Sequence, residues 1–349
     1  MKINIVFPCF ATKASGGHKV IYEYINELVK NNHEINCYYL PHNTFYQLHL
    51  PDFLRKIILN IYIKMFGPSR WFMLDRRVKN QLYKNVQDAD ITIATAIETV
   101  KIVKNLPKSK GRKVYFIQDF ENWNCSDEEI YKSYGYGMVN IVVSKWLKEI
   151  VDKHSKVPSN LISNCINTDV FFNKNKKREK HSIVFQYRSG EYKGCKYAIK
   201  VIEKLQERYE NLFVTVIGIE DRPDDLPEFC RYYQKISAKQ IAEINNRTEV
   251  FMCTSIEEGF GLPGLEAMAC GCAVVSSSYR GVLEYAIDEE NALLSPVRDV
   301  DDMVDNIIRL FEDDKLRKKI SDNGTKTGKK RALKKSAREY EDILKKICG

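Results

Sequence analysis

Short apolar runs alternate with amphipathic helical patterns along the whole chain, and these runs are rich in β-branched and aromatic residues. In the first half, the runs that predict strands cover residues 3–7, 35–40, 91–95, 114–117 and 141–143. The alternation then restarts, with predicted strands at 183–185, 213–217, 250–253 and 273–276. Strands that alternate with helices are typical of βαβ units in a parallel sheet, so we predict an α/β protein.

Helix-spaced apolar positions support helices at the start of each half and at the end of the chain. They are Val20, Ile21, Tyr24, Ile25 and Leu28 after Gly17; Tyr197, Val201, Ile202 and Leu205; and Leu333, Ala337, Tyr340, Leu344 and Ile347.

The 349 residues are too many for one ordinary core and suit two domains. We predict a first domain over 1–166, a second over 167–331, and a terminal helix over 332–349 that packs back on the first domain. The polar, basic stretch 173–180 resembles a linker after the first boundary. Parallel sheets bind ligands beyond the carboxyl ends of their strands, so the chemistry is expected in a cleft between two Rossmann-like domains.

Composition narrows the class of protein. Hydrophobic residues make up 44% of the chain, which is ordinary for a globular protein, and the apolar stretch 53–66 is too short and too charged to span a bilayer. The first residues read as a strand without a cleavage signal, so we expect a cytoplasmic protein. Ten cysteines without a CxxC pair favour reduced thiols over a zinc site. The net charge of +9 favours anionic partners, but no motif points to nucleic acid.

The most informative segment is residues 254–278, TSIEEGFGLPGLEAMACGCAVVSSS. A strand is predicted to end at Cys253 and a helix to begin near Pro263, because proline suits a first helical turn. Glycines between the two let the backbone approach a ligand, and the helix amino terminus attracts anions. Glu258 and Glu266, eight positions apart, are suited to accept hydrogen bonds from sugar and ribose hydroxyls.

The run EGFGLPGLEAMACG (258–271) resembles the signature of retaining GT-B glycosyltransferases of family four, two glutamates separated by seven residues. The resemblance implies that Glu258 faces the donor sugar and that Glu266 binds the ribose hydroxyls. Glu257 is the alternative if the register differs by one. The implied donor-binding residues in this segment are Glu258, Gly259, Phe260, Gly261, Leu262 and Glu266.

Two further segments extend the resemblance. YRSGEYKG places Arg188 and Lys193 after a strand, similar to the arginine and lysine that bind the donor diphosphate in this family. Fixed cations suit a step in which a departing diphosphate gains negative charge, although alone these residues would read as surface charges. SGGHKVI places Gly16 and Gly17 like the family's phosphate-facing glycine loop, and a plain glycine turn is the other interpretation. Two more segments resemble the family: NCINTDVFF (164–172), which leads into the second domain, and SYRGVLEYAIDEENALL (278–294), which closes the donor pocket. The chain departs from the family's usual glycine at Tyr187 before Arg188, at Cys165 and at Ala292.

The first domain offers its own candidates in YFIQDFENW (115–123). Asp119, Glu121 and Trp123 follow a predicted strand, and related transferases carry a similar segment there. We weigh two interpretations equally, orientation of substrate hydroxyls (with Asp119 catalytic) and a polar strand exit. His18 is the remaining candidate, although a lone histidine is more often structural.

The resemblance implies transfer with retained configuration, by front-face substitution, without a cofactor or metal. Asp299 and Asp301 form a DxD, but a helical run follows them, so we interpret them as capping residues. We therefore predict a metal-independent hexosyl- or deoxyhexosyltransferase that uses a nucleotide-diphosphate sugar. Its expected setting is surface polysaccharide or glycolipid assembly. A nucleotide-sugar epimerase of the same fold and a non-catalytic sugar-nucleotide-binding subunit are the alternatives.

The acceptor, a saccharide or a lipid-linked molecule, is expected on the first domain. Residues 53–72 carry an apolar stripe with arginine and lysine beside it. The stripe consists of Leu54, Ile57, Ile58, Ile61 and Met65. Two interpretations stay open: a basic amphipathic helix that contacts anionic membrane at its cytoplasmic face, and a helix that faces the core.

Overall fold

The computed structural model describes residues 1–13, 15–41, 51–67, 71–122 and 125–349, and these form two compact units. The first unit comprises Met1–Asn164 and Lys334–Gly349, and the second comprises Cys165–Leu333. Each unit is built around its own parallel sheet.

The first unit is a seven-stranded sheet in the order β3-β2-β1-β4-β5-β6-β7, with parallel pairing throughout the described ladders. Its central strands are mostly apolar and buried along their length, as expected where helices cover both faces of a parallel sheet. In chain order its elements are β1 (Lys2–Phe7), α1 (Gly16–Lys30), β2 (Glu34–Tyr39), α2 (Asp52–Phe66), β3 (Lys79–Leu82), β4 (Ile91–Ala94), α3 (Ile97–Lys104), β5 (Arg112–Ile117), α4 (Asp127–Tyr134), β6 (Val139–Val142), α5 (Lys145–His154) and β7 (Asn160–Leu161).

The second unit is a six-stranded parallel sheet in the order β10-β9-β8-β11-β12-β13. The strands β8, β11 and β12 lie side by side at its centre, so the loops that follow them open at the same edge. The elements are β8 (Glu179–Tyr187), α6 (Cys195–Arg208), β9 (Phe213–Gly218), β10 (Arg231–Gln234), α7 (Ala238–Arg247), β11 (Thr248–Cys253), α8 (Leu262–Ala269), β12 (Ala273–Ser277), β13 (Leu293–Ser295), α9 (Val300–Glu312) and α10 (Asp314–Lys330).

A last helix, α11 (Leu333–Cys348), completes the first unit. The Tyr340 ring lies 4.9 Å from the Tyr24 ring and 5.5 Å from the Phe116 ring. The Glu341 carboxylate lies 3.0 Å from Nε2 of His33. Helix α11 is therefore held by both aromatic packing and a polar contact.

The prediction of two Rossmann-like parallel sheets is confirmed. Among the described helices, none has both the length and the apolar content needed to cross a membrane.

The structure shows which way the apolar stripe on helix α2 faces. Leu59 and Ile63 are the side chains that pack inward, at 2% and 0% exposure. The predicted stripe instead faces outward, with Ile57 and Ile61 each 51% exposed and Met65 68% exposed. The interpretation of the stripe as core-facing is therefore wrong. Of residues 53–72, positions 68–70 lie outside the described part of the chain.

Candidate functional site

The loop between β11 and α8 is shaped by one glycine. Helix α8 begins at Leu262 with Pro263 in its first turn, and Gly261 precedes it with φ of 86°. A Cβ on Gly261 would lie 1.9 Å from the Tyr279 hydroxyl oxygen. Both the left-handed backbone and the lack of space require glycine at this position.

The loops that follow β8 and β11 place a cation beside a carboxylate. Nζ of Lys193 lies 3.0 Å from Oε2 of Glu258, and the Ser255 hydroxyl donates to the other carboxylate oxygen at 2.5 Å. Burial lowers the pKa of Lys193, but the Glu258 carboxylate outweighs it, so the net pKa is raised. Lys193 is thus held in its charged form beside Glu258 at the carboxyl edge of the sheet.

Backbone contacts lock the same two loops together. The Tyr192 carbonyl accepts a hydrogen bond from the Ile256 amide at 2.7 Å. Gly194, with φ of 64°, lies so close to the β11 exit that a Cβ there would be 2.0 Å from the Thr254 carbonyl oxygen. Lys193 is therefore positioned by the glycine that follows it and by the turn that precedes it.

Arg188 follows β8 directly and is half-buried. Its guanidinium donates to the Tyr187 carbonyl at 2.7 Å, and burial lowers its pKa while the Glu220 carboxylate opposes that shift. It therefore brings a second positive charge to the edge that holds Lys193 and Glu258.

The remaining residues predicted in this segment lie on or before α8. Glu266 is buried, at 4% exposure, within the helix. The Phe260 side chain is also buried and packs 5.2 Å from the Tyr285 ring, so Phe260 presents its backbone rather than its ring to the edge of the sheet. Gly259 and Leu262 flank it in the same loop and helix start.

Glu257 is separated from this cluster. Its carboxylate accepts from Nε and a terminal nitrogen of Arg280, at 3.1 and 3.0 Å. Of the adjacent glutamates, Glu258 is therefore the one that meets Lys193.

In the first unit, the glycine loop and the β5 exit meet. A Cβ on Gly17 would lie 3.2 Å from the Gln118 side-chain nitrogen, whereas a Cβ on Gly16 would meet open space. Asp119, next to Gln118, accepts from the Phe120 amide at 2.9 Å. Gly16, Gly17 and Asp119 thus share the strand-exit region of this unit.

Glu121 has a different environment from Asp119. It is 7% exposed and accepts from the Ile97 amide, at the start of α3, at 2.5 Å. Burial raises its pKa to about 8, against the effect of that hydrogen bond. These contacts match a structural carboxyl at a helix start, and Trp123 lies outside the described residues.

His18 and Asp299 have local structural contacts. The His18 ring contacts the Cys9 carbonyl at 3.1 Å and the Ser15 hydroxyl at 3.2 Å, and burial lowers its pKa. Asp299 caps α9 by accepting from the Asp302 amide at 3.0 Å.

Sequence reasoning missed two side chains that hold the loop before α8. Ser255 bonds Glu258, and Arg280 bonds Glu257. A serine hydroxyl and an arginine 23 positions away carry no sequence signal, since only the fold brings them to these glutamates.

This edge of the second unit has a defined chemical preference. Two cations, an open glycine backbone and a helix amino terminus suit phosphate groups, while Glu258 and Glu266 suit hydroxyl groups. A phosphorylated sugar derivative combines both features.

Comparisons with known proteins find similarity to glycosyltransferases. Residues 167–327 match the family model of the glycosyl transferases group 1. The chain is 26% identical over 219 residues to an uncharacterized glycosyltransferase of Methanocaldococcus jannaschii, covering 59% of each protein. It is 28% identical over 148 residues to a phosphatidyl-myo-inositol mannosyltransferase of Mycolicibacterium smegmatis, covering 40% of this chain and 38% of that protein. These matches span less than two thirds of either relative.

Solved structures match over the full chain. The Anabaena protein HepE, in complex with UDP and glucose, has a TM-score of 0.75 at 12% identity, covering 99% of this chain and 100% of HepE. At that identity the likeness shows the fold, which is of the GT-B type.

Proposed function

Because residues 167–327 match the family model of the glycosyl transferases group 1, we propose that this protein is a metal-independent, retaining glycosyltransferase. It transfers a hexosyl or deoxyhexosyl group from a nucleotide-diphosphate sugar to an acceptor hydroxyl. The acceptor is a saccharide or a lipid-linked molecule used in surface polysaccharide or glycolipid assembly.

One observation carries the proposal: the 3.0 Å contact between Lys193 and Glu258 at the carboxyl edge of the second sheet. With Arg188 nearby, Lys193 offers positive charge where a diphosphate leaving group gains negative charge. Glu258 accepts hydrogen bonds from the hydroxyls of the sugar attached to that diphosphate. Donor binding replaces the Lys193–Glu258 contact with contacts from each residue to the donor.

The reaction follows a front-face course. The bond between the anomeric carbon and the diphosphate oxygen breaks, and the acceptor oxygen bonds to the same face of the sugar. The acceptor proton passes to the departing diphosphate. Arg188 and Lys193 lower the energy of this step because they are already oriented toward the place where charge develops.

A thermal-shift screen tests the donor site, using UDP, GDP, dTDP and ADP with their glucose or mannose conjugates. We expect a rise in melting temperature for one nucleotide series, and loss of that rise in Glu266→Ala. Product analysis with EDTA present then separates three outcomes. Transfer to an acceptor supports the proposal, conversion of the donor alone indicates an epimerase, and nucleotide binding without turnover indicates a non-catalytic subunit. No shift with any nucleotide contradicts the donor site.

For the acceptor, we infer that helix α2 contacts an anionic membrane. Its outward face combines four exposed apolar side chains with Lys56, which pairs with the exposed Asp52 at 3.2 Å. The four apolar residues are Phe53, Ile57, Ile61 and Met65. An apolar face flanked by cations suits the headgroup region of a bilayer, where a lipid-linked acceptor would be presented. The membrane surface is the corresponding location of the protein in the cell.

Vesicle sedimentation tests this contact at low salt. We expect binding to phosphatidylglycerol vesicles and little binding to phosphatidylcholine vesicles. Ile57→Ser with Ile61→Ser should release the protein, while Ile287→Ser, which changes an exposed apolar residue of the second unit, should not. Equal binding of all three proteins, or no binding to anionic vesicles, contradicts the membrane contact.

A further inference from the structure

The beginning of the loop that carries Glu258 is held by hydrogen bonds to Tyr192, in the turn after β8, and to Ser277, at the end of β12. The Tyr192 carbonyl accepts from the Ile256 amide at 2.7 Å, and the Ser277 hydroxyl donates to the Ser255 carbonyl at 2.5 Å. These bonds hold the beginning of the loop. They leave the peptide on either side of Glu258 to be positioned by other contacts.

The segment after β12 supplies those contacts. Arg280 binds Glu257 through two nitrogens, both within 3.1 Å of the same carboxylate oxygen. Gly281 lies directly against the loop, because a Cβ there would be 2.3 Å from the Glu258 carbonyl oxygen and 2.7 Å from the Phe260 nitrogen. Residues 280–281 therefore contact the loop immediately before and after Glu258.

The Glu257–Arg280 pair has little to contribute to overall stability. Its side chains are 40% and 50% exposed, and ion pairs at that exposure contribute little to the free energy of unfolding. The geometry of the Glu257–Arg280 pair instead suits it to hold the loop. Within the described residues, the second oxygen of Glu257 is buried without a hydrogen-bond partner, so Arg280 supplies the hydrogen bonds that its carboxylate receives. Removing Arg280 would leave that carboxylate free to turn, together with the peptide that leads to Glu258.

We propose that the Glu257–Arg280 ion pair is a positioning pair that orients Glu258 toward the donor sugar. This inference rests on the proposed function. The donor site then has a nucleotide end and a sugar end. The nucleotide end depends on Arg188, Lys193 and Glu266, which the pair does not touch in the contacts described above. The sugar end depends on Glu258, whose neighbour the pair holds.

The experiment measures binding and turnover separately in five proteins. They are the wild type, Glu257→Gln, Arg280→Gln, the charge-swapped double variant Glu257→Arg with Arg280→Glu, and Arg208→Gln. The last is a matched control, since Arg208 forms a similarly exposed pair with Glu312 at the far end of α6. Calorimetry compares each of UDP, GDP, dTDP and ADP with its glucose or mannose conjugate, and the pair that binds the wild type is used throughout. Turnover is the rate of nucleoside diphosphate release with that sugar nucleotide.

We expect the single variants to bind the nucleoside diphosphate within about twofold of the wild type. Their turnover should fall about 10- to 100-fold, as for a misplaced catalytic group, and their affinity for the sugar nucleotide should fall with it. The double variant should recover a substantial part of the loss, which a general effect on folding would not produce. Arg208→Gln should behave as the wild type.

The failures are distinguishable. If none of the four nucleotide pairs binds the wild type, the proposed function fails and this inference fails with it. If the wild type binds and turns over but the single variants match it, the positioning role alone is overturned. Equal loss of nucleoside diphosphate binding in the single variants also overturns it, because the pair would then support the whole loop and not its sugar end.

Discussion

Two glutamates follow parallel strands in the two units, and their surroundings give them opposite electrostatics. Glu258, after β11, lies 3.0 Å from Lys193. Glu121, after β5, is buried at the start of α3, where it accepts from the Ile97 amide, and burial raises its pKa to about 8. One carboxylate faces a fixed positive charge, and the other faces an amide, a hydroxyl group and the like charges of Glu98 and Asp119.

In both units the parallel topology determines where the glutamate lies, and the neighbouring side chains determine its charge environment. Both strand exits lie where parallel sheets bind ligands. In the second unit, Arg188 and Lys193 add cations after β8. Lys193 is followed by Gly194, where a Cβ would lie 2.0 Å from the Thr254 carbonyl oxygen. In the first unit, the carboxylate that follows β5, on Glu121, is instead buried. A charged ligand is therefore expected to make its strongest contacts with the second unit.

The largest expected effect comes from breaking the charged pair. Glu258→Gln and Lys193→Met should each lower the rate of sugar transfer by about 100- to 1,000-fold, the range seen when one preorganised electrostatic contact is lost. Initial rates of nucleoside diphosphate release measure it. Lys196→Met is the control, since Lys196 lies three residues after Lys193, is exposed and pairs with Glu191. Near-normal rates in both site variants would show that the pair is a surface contact without a catalytic role.

A large effect is also expected at Gly261, because glycine is required there by the backbone conformation and by close packing inside the second unit. Gly261→Ala places a methyl group 1.9 Å from the Tyr279 hydroxyl in a left-handed backbone. We expect a loss of about 2 kcal/mol or more in the free energy of unfolding, together with loss of the nucleotide-induced thermal shift. Urea unfolding measures the first quantity. The double variant with Tyr279→Phe should recover part of the stability, and no recovery would mean that the backbone angle alone causes the loss.

Because the pKa of Glu121 in the first unit is raised, we expect the stability of the fold to depend on pH. Between about pH 4.5 and pH 8 the folded chain keeps the Glu121 proton that the unfolded chain releases, so the free energy of unfolding falls as pH rises through that window. Glu121→Gln removes this titration. The difference between variant and wild type should therefore change by on the order of 2–4 kcal/mol between pH 5 and pH 9, in favour of the variant at high pH.

Urea denaturation at pH 5, 7 and 9 measures this difference. Glu128→Gln, which changes an exposed glutamate on α4, is expected to leave the pH dependence as in the wild type. A constant difference between Glu121→Gln and the wild type across the three pH values would contradict the environment assigned to Glu121.

Sequence patterns predicted the buried parts of this fold and missed its edges. The apolar runs marked the central strands because both faces of a parallel sheet must be covered. The strands β3 and β10 were not predicted, since KNQL and RYYQ are polar, half-exposed segments at the sheet edges. Such strands satisfy their backbone by pairing on one side and need no apolar pattern.

Helix α2 illustrates a second limit of pattern reading. Periodicity identified an apolar face at Ile57, Ile61 and Met65, but the core took the other positions, Leu59 and Ile63. A helix that is apolar on more than one side has no unique inward face in its sequence. For the site, resemblance supplied Lys193 and Glu258, whereas Ser255 and Arg280 depended on long-range contacts that the sequence does not encode locally.

The smallest expected structural effect distinguishes the glycines of the two units. Gly16 begins α1 outside the left-handed region, and a Cβ there would meet open space, so Gly16→Ala should change the free energy of unfolding by less than about 1 kcal/mol. If Gly16 lies against the donor phosphates, the added methyl group should still raise the KM for the sugar nucleotide several-fold. Steady-state kinetics beside urea unfolding measures both. An unchanged KM would mean that Gly16 is only a turn before α1, and the requirement for glycine in donor binding would then belong to the second unit, at Gly194 and Gly261.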